Sequence, residues 1–173
     1  MIDVDNVTQT NALHIHYHKI CKYCALSDDQ IRDINVLLSQ LSTKAILRSR
    51  SWIEEVARNE VFVVAICPNG NTGHHQIVGM ALLCTIKNLC AGNMGYIHEV
   101  VVHTDFRRRG IMSQLMVELH ERAKMMRLDA IELTSDSRNE DRRKAIQGYL
   151  KMGYRQKQTD VFVYQLRDRE ISL

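Results

Sequence analysis

From Gly95 to Ser113 the chain reads G-Y-I-H-E-V-V-V-H-T-D-F-R-R-R-G-I-M-S, and no other stretch limits the possible fold as tightly. The β-branched run Val100-Val101-Val102 reads as a buried strand. A short polar turn from His103 to Phe106 follows, then Arg107, Arg108, Arg109 and Gly110, after which apolar residues recur at helical spacing. A strand that delivers a basic, glycine-containing loop onto a helix N-terminus builds an anion site. Successive backbone N–H groups converge there, the helix dipole adds partial positive charge, and glycine lets the backbone come close. A phosphate or pyrophosphate suits such a site. An arginine cluster in a turn is equally often a solvated edge, so the flanking segments have to decide between the two.

Those segments read in order as follows. Met1 to Asn11 is a polar lead-in. Leu13 to Lys22 alternates, with Leu13, Ile15 and Tyr17 on one face and His14, His16 and His18 on the other, which is a strand by period. A His-x-His-x-His face near Cys21-x-x-Cys24 invites a metal reading, but zinc sites draw ligands from separate segments and the Cys pair lacks a partner pair. No metal site is expected. Ser27-Asp28-Asp29-Gln30 is a capping box, and the helix it opens presents Ile31, Ile34, Leu37, Leu38 and Leu41. A second helix spans Ser49 to Asn59 with Trp52, Ile53 and Val56 facing inward. Strands follow at Val61 to Cys67, Gln76 to Ile86 and Tyr96 to Val102, separated by turn-forming stretches at 68–73 and 88–93. After Gly110, Ile111, Met112, Leu115, Met116, Leu119, Ala123 and Met126 make one helical stripe. Ala130 to Thr134 is a short strand expected to pair in parallel with the central one. Arg142 to Met152 is the last helix, closed by Gly153, and Tyr154 to Lys157 with Val161 to Leu166 suggests a terminal hairpin.

The stretch around Gly110 resembles motif A of the GNAT superfamily, the acetyl-CoA-dependent N-acetyltransferases. Its pyrophosphate loop reads Arg/Gln-x-x-Gly-x-Gly/Ala between a strand and a long helix. Arg107 and Gly110 match; Met112 stands where the family prefers Gly or Ala. The resemblance continues through Leu133-Thr134-Ser135, Arg142, Ala145, Tyr149 and Gly153-Tyr154. It implies an α/β (α+β) fold: a mixed, mostly antiparallel central sheet, split open near its middle and flanked by helices on both faces. One domain, residues 1–173, is expected, with the motifs in a core from about residue 60 to about residue 166.

The same resemblance implies functional residues. Backbone groups of Val100, Val101 and Val102 would bind the pantetheine arm and thioester carbonyl. The loop Arg107, Arg108, Arg109, Gly110, Ile111, Met112 and Ser113 would hold the pyrophosphate, with Arg142 near the cofactor's phosphates. Met112 also falls on the apolar stripe, and packing is expected to leave its backbone N–H free for phosphate. Strand alternation puts Tyr96, His98 and Val100 on one face and Ile97, Glu99 and Val101 on the other. The family places a catalytic Glu or His two or four residues before the Val100 position, where His98 and Tyr96 fall, and an acidic residue is common at the Glu99 position. His98 is thus the first candidate base and Glu99 the second, with Tyr149 matching the tyrosine that protonates the departing thiolate. The cysteines lie outside these positions, which speaks for direct attack without a covalent acyl-enzyme.

Composition narrows the alternatives. Hydrophobic residues make up 45% and charged residues 25%, ordinary for a globular chain. A net charge of +3 does not argue for nucleic acid, and no aromatic stacking series accompanies the basic runs. No apolar run approaches the ~20 residues of a bilayer span, so no membrane partner is expected. The five cysteines, an odd number, and a polar, acidic start without a signal-peptide core point to a reducing cytoplasm. The expected partners are acetyl-CoA as cosubstrate, without a metal, and a small-molecule or peptide amine as acceptor. A non-catalytic sensor of CoA or acyl-CoA is the alternative. The identity of the acceptor, the acyl chain length and the oligomeric state are left open, a homodimer being one option.

Overall fold

The computed structural model describes residues 15–20, 25–68, 75–136 and 140–162. It divides into two compact units, Met1–Thr134 and Ser135–Leu173.

In the first unit, β1 (His16–Lys19), β2 (Val61–Pro68), β3 (His75–Asn88), β4 (Gly92–Val102) and β5 (Ala130–Leu133) form one sheet in the order β1-β2-β3-β4-β5. The first three pairings are antiparallel and the last, reached through a helix, is parallel. The expected mixed, mostly antiparallel sheet is therefore present. Helix α1 (Asp28–Leu41) starts at the foreseen capping box: Ser27 Oγ accepts from the Gln30 N–H, and Gln30 Oε1 accepts from the Ser27 N–H at 2.9 Å. Helix α2 (Arg50–Asn59) starts at Ser49, whose hydroxyl accepts from the Trp52 N–H.

β2 is buried without interruption from Val61 to Ala65 because both faces of the sheet are covered. On one face Phe62, Val64, Met80 and Val101 pack with Ile34 and Leu37 of α1 and with Ile53 and Ala57 of α2. On the other lies α3 (Ile111–Met125), seated on Gly79. A Cβ there would stand 3.1 Å from Ile111 Cγ2 and 3.3 Å from Leu115 Cδ1, so the missing side chain is what lets the helix approach.

Four inward assignments change. Trp52 is 50% exposed and Val56 only half-buried, because α2 seats itself through Ile53 and Ala57, four residues apart. Met126 is also exposed and Met112 half-buried, so the stripe on α3 is narrower, comprising Ile111, Leu115, Met116, Leu119 and Ala123. His16 and His18 are exposed on β1, their rings 6.2 Å apart, while Leu13, His14 and Cys21-x-x-Cys24 lie outside the described residues, as do 69–73. Among the described residues no group of three His, Cys, Asp or Glu side chains forms a metal-binding cluster. No helix there is long and apolar enough to cross a membrane.

Side chains of α1 fix the loops beside it. Asp33 Oδ2 accepts from the Ile77 N–H at 2.9 Å, and Gln40 Oε1 accepts from the Thr104 N–H at 3.0 Å. Asn35 clamps the α1–α2 loop, its amide donating to the carbonyls of Ile31 and Arg48 and its oxygen accepting from the Arg48 N–H at 2.7 Å. Asn35→Ala leaves those backbone groups without their partner and is expected to cost ~1–3 kcal/mol of stability, measured by urea unfolding. An unchanged midpoint would show that the clamp carries no energy.

The second unit holds α4 (Glu140–Lys151), ended at Gly153 with φ +92° and the Gly153 N–H on the Leu150 carbonyl. The terminal hairpin is not formed where it can be seen: residues 154–162 carry no strand, and 163–166 lie outside the described residues.

Candidate active site

The site grows out of β4. Leu82 of β3 faces Glu99 and Leu83 faces Ile97, so His98 has no residue opposite it: it is the extra residue of a β-bulge. The pairing of β4 with β5 also ends at Ile97. From His98 to Val102 one backbone edge of β4 pairs with no strand among the described residues. The split in the sheet thus starts at the bulge, and along it the backbone groups of Val100 and Val102 point to the open edge, while those of Val101 point into the ladder with β3.

The bulge overturns the expected alternation. Tyr96 faces Cys84 and Glu99 faces Leu82, both on the α1 side of β3, so Tyr96 and Glu99 share a face. The Tyr96 and His98 rings lie 4.7 Å apart on it. Glu60, which caps the C-terminus of α2, stands level with Cys84 across β2, and the Cys84 thiol hydrogen-bonds it. One oxygen each of Glu60 and Glu99 is buried without a hydrogen-bond partner.

Electrostatics separates the two candidate bases. Burial raises the pKa of the Glu99 carboxyl, against the weaker opposing pull of His98 and Arg48. His98 is exposed. Burial, with the charges of Glu60 and Glu99, pushes the Cys84 thiol up to about 12, which keeps it protonated and a poor nucleophile. Glu60, Cys84 and Arg48 were not legible as site residues, since Glu60 and Cys84 meet only through strand pairing and Arg48 is held by Asn35, thirteen residues away.

Beyond Val102 the chain turns tightly. His103 Nδ1 accepts from the Asp105 N–H, and a short 3-10 turn spans Thr104–Phe106. Arg107 Nε donates to the Val102 carbonyl at 3.2 Å, and Arg109 donates to the Asp105 carbonyl while lying 5.5 Å over the Phe106 ring. Two of the three arginines therefore also brace the turn. Arg108 at φ +62° and Gly110 at φ +77° are both left-handed, a geometry that turns successive N–H groups toward one side. Gly110 is the N-cap of α3 and offers no side-chain cap, leaving the N–H groups of Ile111, Met112 and Ser113 at the positive end of a 15-residue helix. A Cβ on Gly110 would meet nothing within 4 Å, so the cradle is open on that side. An unpaired strand edge running into an uncapped, doubly left-handed loop fits an elongated ligand with a phosphate group.

Tyr149 and Arg142 belong to the second unit and are described within it. Tyr149 stacks edge-on against Tyr154 at 5.9 Å between ring centroids. Burial raises its pKa, with Arg142 pulling the other way. Tyr154 is pushed up to about 12 by burial and by Tyr149.

Comparison with known proteins agrees with this geometry. The model of the Acetyltransferase (GNAT) family matches residues 30–154. Among solved structures, an acetyltransferase from Trypanosoma brucei superposes with a TM-score of 0.66 at 22% identity, covering 88% of this chain and all of its own. Glucosamine-6-phosphate N-acetyltransferase from Arabidopsis thaliana gives 0.63 at 20% identity, over 87% of this chain and 98% of the other. The aminoglycoside N-acetyltransferase AAC(6')-Iy, solved in complex with CoA, gives 0.69 at 13% identity, over 91% and 99%. Comparison with curated proteins finds no significant match.

Proposed function

We propose a reaction for this chain from one settled premise: it belongs to the GNAT acetyltransferase family, which uses acetyl-CoA. In this reading it transfers the acetyl group from acetyl-CoA to a primary amine by direct attack. The observation that carries the reading is the bulge at His98, where the edge of β4 comes free directly upstream of the Gly110 loop.

The backbone of Val100–Val102 would align the pantetheine arm, and the N–H groups from Gly110 to Ser113 would hold the pyrophosphate. The bound thioester supplies the acetyl group. Glu99 is the base in this scheme: its carboxylate takes a proton from the acceptor's ammonium, and burial brings its pKa closer to the working pH than an exposed carboxylate would have. His98, beside it, tunes that charge. Cys84, held protonated, leaves direct transfer as the route.

Thiol release from acetyl-CoA over a panel of primary amines tests the reading. Amine-dependent release at several turnovers per enzyme is expected. CoA binding with no turnover on any amine would favour the sensor alternative. Tyr149 enters on the motif: burial keeps its phenol protonated at neutral pH, as a proton donor to the departing thiolate requires. Tyr149→Phe is expected to lower kcat about tenfold to a hundredfold with both KM values within a factor of three. Wild-type turnover, in an assay limited by chemistry, would remove Tyr149 from the mechanism.

A further inference from the structure

We infer that the acceptor is an amine that also carries an anionic group, and that Arg48 binds that group. The inference rests on the transferase reading above and deepens it.

Two arginines stand at the head of α2 and are used differently. Arg50 is fully engaged, donating to the Leu26 carbonyl, to Asp28 at 2.6 Å and to Glu54 at 3.4 Å. Arg48 is fixed only at its backbone, by the Asn35 clamp. Its guanidinium lies 5.0 Å over the half-exposed Trp52 ring and makes no hydrogen bond or ion pair among the described residues. A planar cation backed by an indole, with its N–H fork unspent, is suited to a carboxylate, sulfonate or phosphate.

Arg48 is also close enough for its charge to act on Glu99, yet the two form no ion pair. Were Arg48 simply the counter-ion of Glu99, the buried Glu99 oxygen would be expected to accept from it. That oxygen instead has no partner. An acceptor whose ammonium meets Glu99 and whose anionic group meets Arg48 satisfies both, whereas a plain alkylamine satisfies only one.

Matched amine pairs test this: β-alanine against propylamine, L-lysine against cadaverine, and glucosamine 6-phosphate against glucosamine. Each is measured by thiol release and by thermal shift in the presence of CoA, in the wild-type chain and in Arg48→Gln. At least one member carrying an anionic group should exceed its anion-free partner tenfold or more in kcat/KM, or stabilise the protein where the partner does not. In Arg48→Gln that ratio should fall to near one, chiefly through the KM of the anionic member. Equal or better performance of all anion-free members, or a ratio unmoved by Arg48→Gln, overturns the inference. A charge preference seen in thermal shift without thiol release upholds Arg48 and sinks the catalytic reading alone. Preference for the phosphate pair only, or for the carboxylate pairs only, identifies the anion.

Discussion

Gly110→Val is expected to cost the chain roughly thirtyfold or more in CoA affinity while leaving its melting temperature within a few degrees. The loop holds Gly110 at φ +77°, where a β-branched residue is strained by about 1–2 kcal/mol. No atom lies within 4 Å of the new Cβ, so nothing in the core is displaced. The strain is relieved by rotating the loop, which turns its N–H groups away from the phosphate they would hold. Isothermal titration with CoA, alongside thermal melts, separates binding from folding. A folded Gly110→Val chain with unchanged CoA affinity would mean that the cofactor binds elsewhere.

The second large effect concerns Glu99. Glu99→Gln keeps the shape and removes the base, so turnover is expected to fall about a hundredfold to a thousandfold. The wild-type pH profile should rise as Glu99 loses its proton, at a pH above the ordinary carboxylate value, because burial raises its pKa. In the variant that limb should vanish. Stability should move the opposite way. Between the unfolded and the raised folded pKa, the folded state binds more protons than the unfolded state. Stability therefore falls as pH rises through that window, and above it the ionised Glu99 weakens the fold. Glu99→Gln should accordingly melt at or above the wild-type temperature at pH 7–8, the difference shrinking as the pH drops below the window. A variant with full turnover would exclude Glu99 as the base, and one that melts lower at neutral pH would contradict the burial argument.

What could be read from the chain and what could not divides along local and non-local lines. The Ser27 capping box, the strand at Val100–Val102 and the glycine loop after it are each specified within a few residues, and each formed where expected. The face assignment at Glu99 went wrong because alternation assumes two residues per repeat, and a bulge exists only relative to the strand beside it. Nothing in Ile97-His98-Glu99 marks which residue lacks an opposite number. Glu60 and Cys84 meet through the register of β2 with β3, which at that end pairs Val61 with Leu83, 22 residues further on. Trp52 was placed inward on its hydrophobicity, yet on so short a helix Ile53 and Ala57 suffice for the seat. The exposed indole is left to carry Arg48.

The bulge at His98 makes the site depend on the number of residues in a strand as well as on their kinds. Substituting position 98 alters a side chain beside Glu99 but leaves the count intact, so the strand still breaks step there. Deleting it restores even pairing with β3: Glu99 would then take up the place opposite Leu82 as one member of an unbroken ladder, and nothing would remain to hold the strand edge away from further pairing. Such a chain would gain a more regular sheet and lose its opening. Over evolutionary time this segment should therefore accept changes of letter far more readily than changes of length.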